Sequence, residues 1–501
     1  MDAAHTPALR ARPLPPRSSV AARHGSAIGL FALLIAAAAV RVYGMSDQLV
    51  SFDETRQLEH AVGTRALYFS WIKSPLNPRR HVAERTAQRH ARIGPPVVEG
   101  IAAVGYMFGS GEDLRVARVL GTLFWLIGGG LLFALAASLL STGTALVAAG
   151  FFLLVPHAIV ASQAFTPDPL LSLLAIGSWL ALAHHDFNPS LGSAALAGLL
   201  SGMAVLLDPF VAPVIVVPSA LLVARVFTNV ETWVLGVLTL APSAAYYLWN
   251  DAARASLLPG ALDIRWELWL TPEFWQVWRD RLFDVCRGPY LAALAALGIL
   301  VAPSNRARSV LWSLTLGYLA YGLAASSRIA TLGQTQLLAL PLIGLGLASF
   351  VRRVWLLTPR VLRPPLRAVV LLAGLALAYW DVREIRAGAW PLTHRTGTTD
   401  PRFAEIGELV RHSGQVIVLD PETDGAALEY YGELSGWTWP SSSDATQWRA
   451  ELDALVHEQG AEYFVSPRTE TLTQRPELSR YLSEHYALIS KSPHYVVYAL
   501  R

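Results

Sequence analysis

The chain has 501 residues, of which 53% are hydrophobic and 15% charged, with a mean hydropathy of +0.39. That composition excludes a single soluble globule and places most of the chain in a membrane. A net charge of +3 points to no nucleic-acid partner, and the one cysteine, Cys286, excludes an internal disulfide or a cysteine-based metal site within one chain.

Residues 1–25 form an arm rich in proline and arginine (Arg10, Arg12, Arg17, Arg23), which leads into the apolar run Ser26 to Val40. The pattern resembles a signal peptide, and Ala36 to Ala39 would allow cleavage, but an uncleaved anchor is the favoured reading. Either way the next loop, 44–117, emerges on the far side of the membrane. It begins with Val50-Ser51-Phe52-Asp53-Glu54, an acidic pair just outside a hydrophobic wall. Within it, Val97 to Gly109 is apolar, follows Pro95-Pro96 and carries Glu99. It is too short to span a bilayer and is expected to be a helix lying in the interface.

Further spans are expected at 118–140, 144–162, 169–184, 192–208, 210–225, 231–249, 290–302, 310–325, 334–350 and 368–385. With the anchor they make about eleven. The basic linkers, with Arg306 and Arg308 in one and Arg352, Arg353, Arg360, Arg363 and Arg367 in the other, belong on the cytoplasmic side. Parity then puts the tail, from about residue 386, on the same external face as Asp53. An external loop at 250–289 carries Trp266, Trp269, Trp275 and Trp278. Thr271-Pro272-Glu273 reads as a helix start, and Trp275, Trp278, Leu282 and Val285 follow at helical spacing. This is either an aromatic anchor at the membrane surface or a wall for a lipid tail.

In the tail, Phe403 to His412 and Thr446 to Gln459 read as helices. Gln415 to Leu419, Glu462 to Val465 and Tyr495 to Leu500 read as strands. The expected fold is an α-helical polytopic membrane protein with interfacial helices and a small C-terminal α/β soluble domain. Its parts are the arm 1–25, a transmembrane domain 26–385, and an external domain 386–501.

Asp53 and Glu54 are adjacent, so their side chains diverge, and one is expected to be a base while the other positions a substrate. A solvated acidic turn is the plainer reading. His157, inside a span, reads as a packing residue. Asp168, between two prolines at a span end, reads equally as a structural turn.

The acidic pair is followed by Gly94-Pro95-Pro96 and then by Gly105…Phe108-Gly109…Ala117-Arg118-Val119. Ala164-Phe165-Thr166-Pro167-Asp168-Pro169-Leu170 comes next, then Gly198…Gly202-Met203-Ala204, and in the tail Tyr430-Tyr431…Gly436-Trp437. In this order the motifs resemble the GT-C class of membrane glycosyltransferases, notably the protein O-mannosyltransferases and the lipid A aminoarabinose transferase. The resemblance implies an enzyme of the bacterial inner membrane that moves a sugar from a polyprenyl-phosphate donor to an acceptor hydroxyl on the periplasmic side. It implies Asp53 as the base and Glu54 as a residue shaping the acceptor site.

The sequence also departs from that class. Relatives often carry His or Lys before the paired prolines, where this chain has Arg92-Ile93-Gly94, and Lys near the end of the glycine-spaced helix, where it has Leu207-Asp208-Pro209. Either Lys73, Arg92 and Arg328 hold the donor phosphate, or a divalent cation bridges it to Asp208. Two further readings stand beside the transferase. A transporter would keep ionisable groups inside its spans, which here contain almost none apart from His157. A non-catalytic scaffold descended from a transferase is kept open by Asp208.

Overall fold

The computed structural model describes residues 20–43, 52–72, 78–89, 94–109, 111–223, 229–251, 253–255, 265–331, 336–365, 401–419, 425–439 and 447–501, with isolated helical positions between 369 and 383. The chain begins with α1 (Val20–Tyr43), followed by the polar helices α2 (Glu54–Ile72) and α3 (Pro78–Arg89) and the apolar α4 (Val97–Phe108). Twelve residues in α4 give about 18 Å of helix, well short of a bilayer core. The interfacial segment expected from its length is therefore a helix with the expected start.

A bundle follows: α5 (Leu114–Leu139), α6 (Thr142–Leu154), the short α7 (Pro156–Ala161), α8 (Asp168–Phe187), α9 (Leu191–Leu207), α10 (Ala212–Val223) and α11 (Val230–Trp249). Beyond the tryptophan-rich loop come α12 (Pro272–Val285), α13 (Pro289–Leu300), α14 (Asn305–Ala324), the short α15 (Ser326–Thr331) and α16 (Ala339–Leu357). Chain neighbours α5 and α6, α8 and α9, and α13 and α14 pack together, while α16 returns to lie on α6 and α13. Trp125 stacks on Phe152 with centroids 4.5 Å apart, and its indole N–H donates to the Phe152 carbonyl. Trp179 does the same towards Val214. In this way two of the largest buried side chains leave no polar atom stranded in an apolar interior.

The glycine-spaced helix has a packing reason. A Cβ on Gly202 would overlap the Leu238 carbonyl, and one on Gly198 would press on the Leu238 side chain. The absence of side chains there lets α11 lie directly against α9.

Among the described residues, four helices are long and apolar enough to cross a membrane, beginning at His24, Leu114, Asp168 and Ala339. A fifth exists if the pair α12 and α13, bent by 95°, is one span. The other apolar helices of the bundle are shorter or more polar, so the count of about eleven is not reached by that measure. The fold is polytopic and helical, and apolar side chains such as Ile28, Phe31, Leu123, Ile127, Leu196 and Leu199 face outward from it.

The tail begins with α17 (Pro401–Leu409) and β1 (Val416–Leu419), followed by α18 (Gly425–Tyr431) and β2 (Gly436–Trp439). Then come α19 (Gln447–His457), β3 (Tyr463–Ser466), α20 (Thr469–Thr473), α21 (Pro476–His485), β4 (Ala487–Lys491) and β5 (Val496–Ala499). The sheet order is β2-β1-β3-β5-β4, with β1 parallel to β2 and β3, and β5 antiparallel to both its neighbours. Alternate residues of β1 point to opposite faces. Ile417 and Leu419 join a core with Trp439, Leu452, Phe464 and Leu482. Val416 and Val418 join the cluster that runs on into the helical part of the molecule.

The tail thus docks on the first loop. Arg65 of α2 donates to the Tyr430 carbonyl at 2.7 Å, lies over the Tyr430 ring and pairs with Glu112 at 2.9 Å. Burial lowers the Arg65 pKa, but Glu112 outweighs that and holds it above its usual value. Arg79 pairs with Glu433, and Arg89 lies over Trp437. Loop and tail therefore share one side of the bundle.

Candidate active site

A cleft of about 170 Å³ opens on that side, between α2, α4 and the ends of α8 and α9. Arg56, Glu59, His60, Glu99, Asp168, Asp208 and Arg328 supply its polar lining, and Gly94, Pro95, Val98, Pro167, Leu171 and Leu207 the rest.

Its first wall comes from α2. Asp53 occupies the position before the helix, with φ +53°, and its carboxylate accepts from the Arg56 backbone N–H at 3.4 Å. A short acidic side chain is suited to such a cap, and Asp tolerates the left-handed region better than most residues. Arg56, Glu59 and His60 then follow at helical spacing and face the cleft together. Arg56 pairs with Asp168 at 3.4 Å, and His60 Nδ1 meets the buried Glu99 carboxylate of α4 at 2.9 Å.

The facing wall is made from helix ends. Asp168 is the first residue of α8, where a carboxylate complements the positive end of the helix dipole. Asp208 ends α9 and accepts from the Phe210 N–H at 3.1 Å, capping the short turn Pro209–Val211. Arg328 reaches it from α15, at 3.1 Å, with its guanidinium over the Phe210 ring. Burial opposes the Arg328 charge, but Asp208 more than compensates, so its pKa lies above the usual value. Gly94 closes the floor, because any Cβ there would run into the Leu207 carbonyl. The Gly94-Pro95-Pro96 segment can therefore press against the end of α9.

The structure brings Asp168, Asp208 and Arg328 to one cleft. Asp53 stands beside it, outside the lining, linked through Arg56. Glu54 opens α2 and does not line the cleft. Lys73 and Arg92 lie outside the described residues. At Asp208, where the sequence left open either nearby cations or a divalent metal, the side chain that meets the carboxylate is Arg328, at 3.1 Å. Among the described residues no group of three or more His, Cys, Asp and Glu side chains is placed to hold a metal. His157 is a buried packing residue, set edge-on against Phe52 with centroids 5.5 Å apart. Sequence reasoning missed Arg56, Glu59 and His60, although their spacing from Asp53 on a polar helix was a usable signal. In the sequence Glu99 stands out only as a charge within an apolar run.

The tryptophan loop forms a partly buried shelf. Trp278 packs against Tyr318 and donates to its hydroxyl, while Trp266 and Trp275 remain exposed. The expected cap differs: Thr271 precedes α12, but its hydroxyl donates to the Leu268 carbonyl and not to the helix start.

The sequence matches no protein-family model and no curated protein. The structure does have counterparts. Its fold is shared with solved structures of GT-C glycosyltransferases. It is similar to ArnT from Cupriavidus metallidurans bound to undecaprenyl phosphate, with a TM-score of 0.61 and 16% identity over 95% of this chain and 98% of that one. The apo form of ArnT gives a TM-score of 0.60 at 17% identity and the same coverage. The Archaeoglobus fulgidus oligosaccharyltransferase is similar at a TM-score of 0.55 and 12% identity, over 91% of this chain and 71% of that chain. The mycobacterial arabinofuranosyltransferase AftD gives 0.56 at 17%, over 96% of this chain and 42% of that chain.

Proposed function

We propose that this chain is an inverting glycosyltransferase of the bacterial inner membrane, taking a sugar from a polyprenyl-phosphate donor to an acceptor hydroxyl on the external face. The observation that carries the reading is the cleft itself, where Arg56 and Arg328 are held by Asp168 and Asp208 on a fold shared with an enzyme seen bound to undecaprenyl phosphate.

Asp53 takes the acceptor proton as its oxygen attacks the anomeric carbon, with Glu54 shaping the acceptor approach. The bond from that carbon to the phosphate oxygen breaks, and polyprenyl phosphate leaves with the electron pair. Arg56 and Arg328 stabilise the charge that grows on the phosphate, with Lys73 and Arg92 as further candidates. The leaving group is already good, so no second carboxyl has to act as an acid, and one displacement inverts the carbon.

The test uses the full chain in lipid nanodiscs, a panel of polyprenyl-phosphate sugars, and envelope lipid, polysaccharide and glycoprotein fractions as acceptors. Release of polyprenyl phosphate with a matching mass gain on one acceptor supports the reading. Silence across every donor would favour a non-catalytic scaffold.

A further inference from the structure

We infer that Gln57 is a positioning residue for Asp53, and that it acts by tying the Phe52–Asp53 turn to the segment Phe165–Asp168. The inference rests on the reading of Asp53 as the base.

Gln57 lies one turn into α2 and is fully buried. Its Nε2 donates to the Phe52 carbonyl at 2.7 Å, and its Oε1 accepts from the Phe165 backbone N–H at 3.2 Å. Its own backbone N–H donates to the Asp53 carbonyl at 3.0 Å. One carboxamide therefore satisfies the Phe52 carbonyl and the N–H of Phe165, the latter 108 residues from Gln57 in sequence, a task that needs a donor and an acceptor on one side chain. A residue that only filled space would need neither.

Asp53 needs such a hold. Its φ of +53° is left-handed, a region that Asp tolerates better than most residues but that still costs energy unless the surroundings hold it. The carbonyl that Gln57 grips belongs to the residue immediately before it. At its other end, Gln57 fixes the backbone three residues ahead of Asp168, the carboxylate that pairs with Arg56. The segment before Phe165 is anchored too, because the buried Arg41 donates to Ser162 Oγ at 2.7 Å and to the Leu153 carbonyl at 3.0 Å. Gln57 is thus the link by which a rigid part of the bundle sets the direction of the base.

The test is Gln57→Met, which keeps the length of the side chain and removes both hydrogen bonds. With a donor that the wild type uses, kcat should fall about tenfold to a hundredfold, as for a misplacement near 1 Å, while the donor KM stays nearly unchanged. Gln57→Asn, whose shorter arm cannot reach both segments at once, should also lose kcat. In an Asp53→Asn background, Gln57→Met should cost little more, since it acts through Asp53. Wild-type kcat in Gln57→Met, or losses that multiply in the double variant, would overturn the inference. Hydrogen exchange reads the tie without any activity: the Phe165 amide should exchange faster in Gln57→Met while amides of α16 do not change. If the wild type transfers no sugar, the transferase reading fails, and unchanged protection at Phe165 would still refute the tie.

Discussion

Arg328 and Asp208 lie 120 residues apart in sequence and meet at 3.1 Å in the wall of the cleft. The pair is mostly out of water, with the two side chains 23% and 18% exposed, so removing either partner strands the other. If Arg328 also faces the donor phosphate, Arg328→Ala loses a charge-assisted contact of about 1.5–3 kcal/mol, roughly tenfold to a hundredfold in apparent donor affinity. Asp208→Asn leaves the guanidinium in place and should weaken the donor less. Donor KM values for both variants decide it: an unchanged KM in Arg328→Ala would remove that residue from the phosphate site.

Asp53→Asn keeps the shape of the side chain and its capping oxygen but cannot accept a proton. Transfer should fall by about 10²–10⁴-fold while the protein inserts and folds normally. Glu54→Gln should act mainly on the apparent acceptor affinity. Both are measured at matched membrane levels, and a fully active Asp53→Asn would end the assignment of the base.

Arg65 joins the tail to α2 through the Tyr430 carbonyl and to the start of α5 through Glu112. Arg65→Ala should loosen the tail by about 1.5–3 kcal/mol, the range for hydrogen bonds to a charged group. Limited proteolysis should then cut between the bundle and the tail at lower protease concentration. An unchanged cleavage rate would show that Arg79, Arg89 and the apolar contacts suffice.

The contact between loop and tail places both on one side, and the basic linkers should lie on the other. The one native cysteine, Cys286, is buried, so single cysteines at Ser70, Ser304 and Ser483 can be labelled against a quiet background. Ser70 and Ser483 should react with an impermeant reagent in intact cells, and Ser304 only after permeabilisation. Labelling of Ser304 from outside would move the cleft to the cytoplasmic face.

Much of the fold could be read from apolar run lengths, because a bilayer fixes how long a buried helix must be. Runs ending near Leu139, Phe187, Leu207 and Trp249 were legible to within a few residues. Three tail strands are legible as short runs rich in β-branched and aromatic residues. β2 and β4 were missed because Gly436–Trp439 is a short run opened by glycine, and Ala487–Lys491 is an exposed edge strand with little apolar contrast. In the cleft, the motif carboxylates could be located, but not their partners. Arg328 is one of three cations singled out from the sequence and Arg56 is one arginine among many, and only the folded chain shows which meets Asp168 and which meets Asp208. His60 and Glu99 come from helices that sequence alone does not bring together.

The contact between Arg65 and Tyr430 joins residues 365 positions apart. Seen in time, this means that α2 is made first and waits for its brace until Tyr430, 365 positions later, has left the ribosome. A nascent chain can insert its first helices and still lack the support behind the cleft wall. The emergence of Tyr430 is thus the moment at which that wall acquires this brace, and a premature stop before β1 would leave the cleft unbraced.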